Sequence, residues 1–229
     1  MRSSRETGPA VSGGDRLKGA LLFLPVPLVL FLFTQQPLGP WASLGLGALL
    51  VATHRLYARP FALSLAGRRC LWCGGPSGEG PAVEVDEPLG RTSWRACGPA
   101  HASALLRTLG WAAGRSRLLA LGILGTLALF LCGAVFAAFG RPAWLEPEDP
   151  VALFRLGIAL TVLPLGWLAP ESQTSGARGP APESPPASRL PFPVHIQALL
   201  GTLWVAWLFR LVGLWWLVAA LLHLSRRLA

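Results

Sequence analysis

Five apolar stretches without a single acidic residue limit what this chain can become more than any other feature of it: 19–33, 38–53, 118–139, 151–168 and 194–222. Lipid leaves backbone groups no water to bond, so stretches of this length cross as helices, each needing about 20 residues. They are too continuous for barrel strands, which alternate apolar and polar positions. Charged residues make up 14% of the chain, against about 25% in average soluble domains. The deficit falls inside these stretches. The expected fold is an α-helical polytopic membrane protein with about five transmembrane helices.

The stretches differ in quality. The first is short, and Pro25 and Pro27 are expected to bend it or break its hydrogen bonding. A basic segment precedes it, as in a signal peptide, but Thr34-Gln35-Gln36-Pro37 lacks the small residues that cleavage needs, so an uncleaved helix is expected. The second reaches across only with help from His54, Leu56 and Tyr57. The third is apolar throughout, and the fourth is interrupted by Arg155 and Pro164. The last, about 29 residues, exceeds one crossing and is short for two.

The remaining segments follow. Residues 1–18 are polar and read as a disordered cytoplasmic tail, 19–57 as the first two crossings and 58–117 as a cytoplasmic loop. Residues 118–168 are the next two crossings, 169–193 a flexible linker rich in Pro, Gly and Ser, and 194–229 the fifth crossing with the C-terminus. Orientation comes from Arg. The stretch from His54 to Arg117 holds nine Arg against four acids, whereas 140–150 holds Arg141 against Glu146, Glu148 and Asp149. Basic loops stay cytoplasmic, which puts the large loop inside. Five crossings then leave Arg226 and Arg227 outside, against the same rule. The net charge of +9 reads as contact with anionic lipid rather than nucleic acid. The expected location is a membrane of the bacterial inner (cytoplasmic) type.

Three of the four cysteines are arranged. Cys70-Leu71-Trp72-Cys73-Gly74-Gly75 is a C-x2-C turn followed by glycines, and Cys97-Gly98-Pro99-Ala100-His101 is C-x3-H. Thiolate and imidazole are the ligands zinc prefers. Between the pairs, Ala82–Val85 alternates as a strand, Glu87-Pro88-Leu89-Gly90 makes a turn, and Arg91–Trp94 returns. Pro99 suits the first turn of a helix that carries Leu105, Leu106 and Leu109 on a shared side. A two-cysteine knuckle, a hairpin, then Cys and His at a helix start resembles the treble-clef or zinc-ribbon class of small zinc modules over about residues 69–110. Their usual second pair is C-x2-C, so C-x3-H is a departure. A redox pair would want a βαβ setting, and haem attachment would want His directly after Cys73, where Gly74 stands. A disulfide wants an oxidising compartment. Structural zinc on Cys70, Cys73, Cys97 and His101 is the expectation, a closed site that stabilises a module too small to hold a core. Cys132, alone in the third stretch, reads as a packing residue.

Two charges remain inside apolar stretches, Arg155 and Arg210, and no acid in any stretch can pair with them. Such a charge is a functional hypothesis by default. Arg155 can snorkel outward. Arg210 could bind carbonyls, a lipid phosphate or a partner's carboxylate. If 194–222 is one straight helix, Leu203, Ala206, Trp207, Gly213, Leu214 and Leu217 face inward while Val205, Val212 and Trp216 face lipid. His195, Gln197 and His223 read as headgroup contacts. No nucleophile elbow, phosphate loop, catalytic carboxylate pair or zinc-protease helix is present. The expected function is non-enzymatic, a zinc-stabilised cytoplasmic module that mediates protein interaction or assembly. The alternative is lipid handling or transport in which Arg210 and Arg155 hold an anionic group. Nucleic-acid binding by Trp72 and Trp94 on the basic loop is a third, weaker reading. The expected partners are membrane lipids and a protein docking through the zinc loop.

Overall fold

A computed structural model describes residues 12–28, 31, 40–140, 146, 148–174, 190 and 192–228. Three of its helices are long and apolar enough to cross a membrane: α5 (Ser116–Phe139), α6 (Asp149–Thr174) and α8 (Thr202–Leu228). They form an antiparallel set. Gly122 of α5 lies beside Thr161 of α6, and a Cβ on it would stand 2.7 Å from the threonine Oγ1. Small residues permit that approach, and each threonine hydroxyl is satisfied within its own helix: Thr126 Oγ1 donates to Gly122 O and Thr161 Oγ1 to Gly157 O. Helix α8 runs back along α6, with His223 on Asp149 at one end and Arg210 on Gly166 at the other.

The first two apolar stretches yield shorter helices. Helix α1 (Gly13–Phe23) starts at a capping box, with the Asp15 N–H on Ser12 Oγ and the Ser12 N–H on the Asp15 carboxylate. It therefore begins inside the segment expected to be a disordered tail through residue 18; residues 1–11 lie outside the described ones. It ends two residues before Pro25, where the missing proline N–H groups take donors from the ladder. Helix α2 (Pro40–Thr53) continues through a π-turn (His54–Ala58) into α3 (Arg59–Ser64). Most of the connection between α1 and α2 lies outside the described residues.

A compact module follows: the knuckle at Cys70–Gly75, strands β1 (Ala82–Glu87) and β2 (Gly90–Arg95) paired antiparallel, and α4 (Pro99–Gly114). Val83, Val85, Trp94, Leu105 and Leu109 close its core together with Leu71 and Trp72. With Trp72 and Trp94 both buried, neither offers a face on which a base could stack. The linker expected at 169–193 starts late, because α6 runs on to Thr174; residues 175–189 lie outside the described ones.

The last stretch is two pieces. A short helix α7 (His195–Ala198) stops at a break, and α8 restarts at Thr202. Gly201 turns the chain with φ +104, a conformation in which a side chain is strained, and a Cβ there would stand 2.7 Å from Gly74 N. The packed side of α8 is rotated from the expected one because contact with α6 sets it, where Gly213 meets Leu163 and Trp216 packs on Phe154. Val205, Ala206, Gly213, Trp216 and Ala220 are buried, while Trp207 and Leu214 are exposed. Ala206 and Gly213 were expected inward; Val205 and Trp216 were expected in lipid and are instead the inner residues.

Candidate metal centre

The knuckle is built by its own backbone. The Cys70 N–H donates to Gly75 O and the Gly74 N–H to Cys70 O, a tight loop that Gly74 completes at φ +73. Leu71 N–H reaches Arg95 O, which ties the knuckle to the end of β2. Two residues on, Cys97 leaves the strand, and extended Gly98 with Pro99 in the first turn starts α4. His101 sits four residues after Cys97, one helical turn, so its ring comes back to that sulfur.

The four side chains expected to act together do converge. Their ligand atoms lie within 4.8 Å of one another, and this is the one such group among the described residues. Cys97 Sγ is 2.9 Å and Cys70 Sγ 3.8 Å from His101 Nδ1, and Cys73 Sγ is 4.0 Å from Cys97 Sγ. A tetrahedral ion with metal–sulfur bonds near 2.3 Å would set its donors roughly 3.5–3.8 Å apart. The cluster is close to that size. Cys70 is buried, Cys73 and His101 half-buried, and Cys97 exposed at the rim. Burial, then the neighbouring sulfurs of Cys70 and Cys73, push the Cys97 thiol up to about 12. Burial also raises Cys73. Three sulfurs so close cannot all ionise without a cation among them, so metal binding would release protons. A Cys3His set of this shape could hold a metal ion and leaves no fourth position for a substrate. Cys132 lies apart on the exposed side of α5.

The module is not a free appendage. Its carbonyls receive the first N–H groups of α8: Thr202 N–H donates to Leu71 O at 2.8 Å and Leu203 N–H to Trp72 O at 2.9 Å. These are groups a helix start leaves without intrahelical partners. Thr202 Oγ1 bonds Leu71 O as well, and Arg69 Nη1 bonds Leu199 O. Hence the residues between the first two sulfurs are also the seat of a membrane-length helix.

A second junction went unread in the sequence. Glu87, fully buried, accepts from Val194 N–H at 2.6 Å and from Thr92 Oγ1 at 3.2 Å, and His195 Nδ1 stands 3.6 Å away. His195 Nε2 meets His54 Nε2, and the two rings stack at 4.4 Å. Burial works to raise the Glu87 carboxyl, but the adjacent His195 ring and the bonds from Val194 and Thr92 outweigh it and hold it below the usual range. His195 is therefore an interior residue, not a headgroup contact; Gln197 is buried too and accepts from Thr202 Oγ1, and His223 bonds Asp149 at 2.8 Å. The available signal was strand alternation: Val83, Val85 and Glu87 share one side of β1, so an acid held the third inward place.

Arg210 and Arg155 are not brought together. Arg155 is half-buried at the seventh residue of α6. Arg210 packs against Gly166, eleven residues further along that helix, about 16 Å away. Arg210 Nε donates to Gly166 O at 2.7 Å and Nη2 to Trp167 O at 3.0 Å, and the guanidinium lies over the rings of Trp167 and Trp207 at 4.8 and 4.7 Å. The sequence explains the first bond. Four residues beyond Gly166 stands Pro170, which has no N–H to close the helix ladder, and Arg210 supplies the missing donor. Comparison of the chain with protein-family models, with curated proteins and with solved structures finds no match.

Proposed function

We propose that this chain is a non-enzymatic integral membrane protein of about five crossings, in which zinc bound by Cys70, Cys73, Cys97 and His101 stabilises a cytoplasmic module that serves assembly. The convergence of one imidazole nitrogen and three sulfurs within 4.8 Å carries the reading. Zinc is favoured over other ions because thiolate-rich tetrahedral sets suit it. Such a closed set acts structurally. The remaining two crossings of this reading fall within residues 19–57.

Assembly has an inner and an outer side here. Within the chain, the knuckle seats α8 and Glu87 fastens the segment before it. Away from those contacts, the outer side of the hairpin, with Glu84, Leu89, Arg91 and Ser93, is exposed and is the surface proposed to meet a protein partner. Arg210 supports this reading over lipid transport, because two of its three nitrogens are already bonded to carbonyls of the same chain.

The test is site-specific photocrosslinking in cells of the source organism from probes at Glu84 and Arg91. A discrete protein adduct, lost when Cys73→Ser is added, is the expected result. Probes that capture no protein from either position would contradict the interaction role.

A further inference from the structure

Beside the metal cluster lies a second, separate feature. A cavity of about 160 Å³ opens between α1, the knuckle and the start of α8, lined by Arg16, Arg69, Cys73, Gly74, Leu200 and Trp204 among others. Two guanidinium groups line it, with the Cys73 sulfur on the side of the metal cluster. Arg69 is only 7% exposed, and its Nε and Nη1 are committed to the carbonyls of Gly74 at 2.6 Å and Leu199 at 2.9 Å. Its Nη2 makes no hydrogen bond among the described residues. Arg16 reaches the same cavity from α1, and its guanidinium makes no hydrogen bond or ion pair among the described residues.

Two guanidinium groups sharing a small cavity repel each other. The nearby Asp15 carboxylate accepts from the Ser12 N–H in the cap of α1. A buried charge is costly unless a counter-ion meets it. Arginine forks bind tetrahedral oxyanions through paired N–H groups more strongly than neutral donors do. A cavity of this volume has room for more than one water and so for a small oxyanion.

We propose that this cavity is a binding site for a phosphate-class anion, held by Arg69 Nη2 from the wall and by the Arg16 guanidinium from α1. The phosphate group can come from two sources. Trp204, 61% exposed, is the third residue of α8 and stands at the cavity's edge where that helix would enter the membrane. Tryptophan prefers the headgroup level, so a phospholipid headgroup would lie at the right height. A free phosphate or the phosphate of a soluble metabolite offers the same chemistry. The lipid source rests on α8 being a crossing; the anion chemistry does not.

The experiment uses the full chain in neutral detergent. Native mass spectrometry after incubation with phosphatidylglycerol or phosphatidylcholine reads lipid retention, and thermal unfolding against inorganic phosphate reads the soluble source. Selective retention of phosphatidylglycerol assigns the site to lipid, and an upward shift of the midpoint with phosphate assigns it to a soluble group; each supports the proposal only if Arg16→Gln weakens it by about tenfold, as loss of one charge-assisted bond implies. Arg16→Lys, which restores the charge, should recover most of the binding. The Arg16 side chain makes no bond the fold depends on, so the unliganded midpoints of both variants should match the parent chain. Binding of neither probe, or equal binding by the parent chain and Arg16→Gln, would overturn the proposal.

Discussion

The Cys70–Cys73–Cys97–His101 cluster and Arg210 are both concentrations of polar chemistry in an apolar chain, and they meet their needs in opposite ways. Arg210 is provided for from within: a carbonyl left over by Pro170, the next carbonyl at Trp167, and two indole faces surround it. The four donors of the cluster face one another, and electron-rich sulfurs cannot satisfy each other. One region is closed by the chain itself; the other could hold a cation. The lesson is that an odd residue signals function only after its local debts of hydrogen bonding are counted.

The sharpest way to break this comparison is to remove a cluster ligand. Cys70→Ser should unfold the knuckle and release the start of α8 with it, because Leu71 and Trp72 carry the carbonyls on which that helix begins. Structural zinc contributes about 10–16 kcal/mol of apparent binding energy in small modules, so the loss should exceed any other single change. Limited proteolysis near Gly78–Gly80, rapid in the variant and slow in the parent chain, is the readout. Equal resistance would mean the module stands without its metal.

Arg210→Leu comes next. Were the guanidinium a charge suffering in lipid, removing it would stabilise the chain. The bonds to Gly166 and Trp167 predict the reverse, a loss of about 1–3 kcal/mol from stranded carbonyls and lost packing, measured as a lower unfolding midpoint in detergent. Arg210→Lys should fall between, since it keeps charge but not the fork.

These two regions also differ in how far the sequence discloses them. The four clustered side chains were legible because their spacing encodes local geometry: a knuckle closed by glycine, a proline-started helix, and His101 one turn after Cys97. Three long helices were legible from their apolar length. What the sequence hid were contacts between distant segments. Nothing near His195 announces Glu87, over a hundred residues earlier, and the break at Gly201 looks like one more small residue in an apolar run. The packed side of α8 was misjudged for that reason, since Leu163 and Phe154 of α6 decide which of its residues turn inward. The Arg210 pairing was half readable, as Pro170 marks an unclaimed carbonyl but not which side chain takes it.

A smaller effect is expected at Glu87, the polar junction that sits between the two regions in kind, neither metal-dependent nor within the membrane-length helices. Its carboxyl is held below the ordinary value of 4.5 by His195, Val194 and Thr92 against the opposing effect of burial. The folded form therefore favours the carboxylate. The stability it lends is complete above about 4.5 and is lost as pH falls through the lowered value. Glu87→Gln should cost about 1–2 kcal/mol near neutrality and flatten the acid limb of a stability-versus-pH curve. An acid limb unchanged in the variant would remove Glu87 as its source.

The least effect belongs to Cys132, on the exposed side of α5 and away from the other three sulfurs. Cys132→Ala should leave metal content and the unfolding midpoint within error of the parent chain. A drop in metal on this change would mean the ligand set is drawn wrongly.

Metal content of the full chain tests the central claim most directly. Elemental analysis of protein purified in detergent without added metal should find close to one zinc per chain, retained by Cys132→Ala and absent from Cys97→Ser. Zinc that is missing from the parent chain, or that persists undiminished in Cys97→Ser, would contradict a Cys3His zinc site and the assembly role built on it.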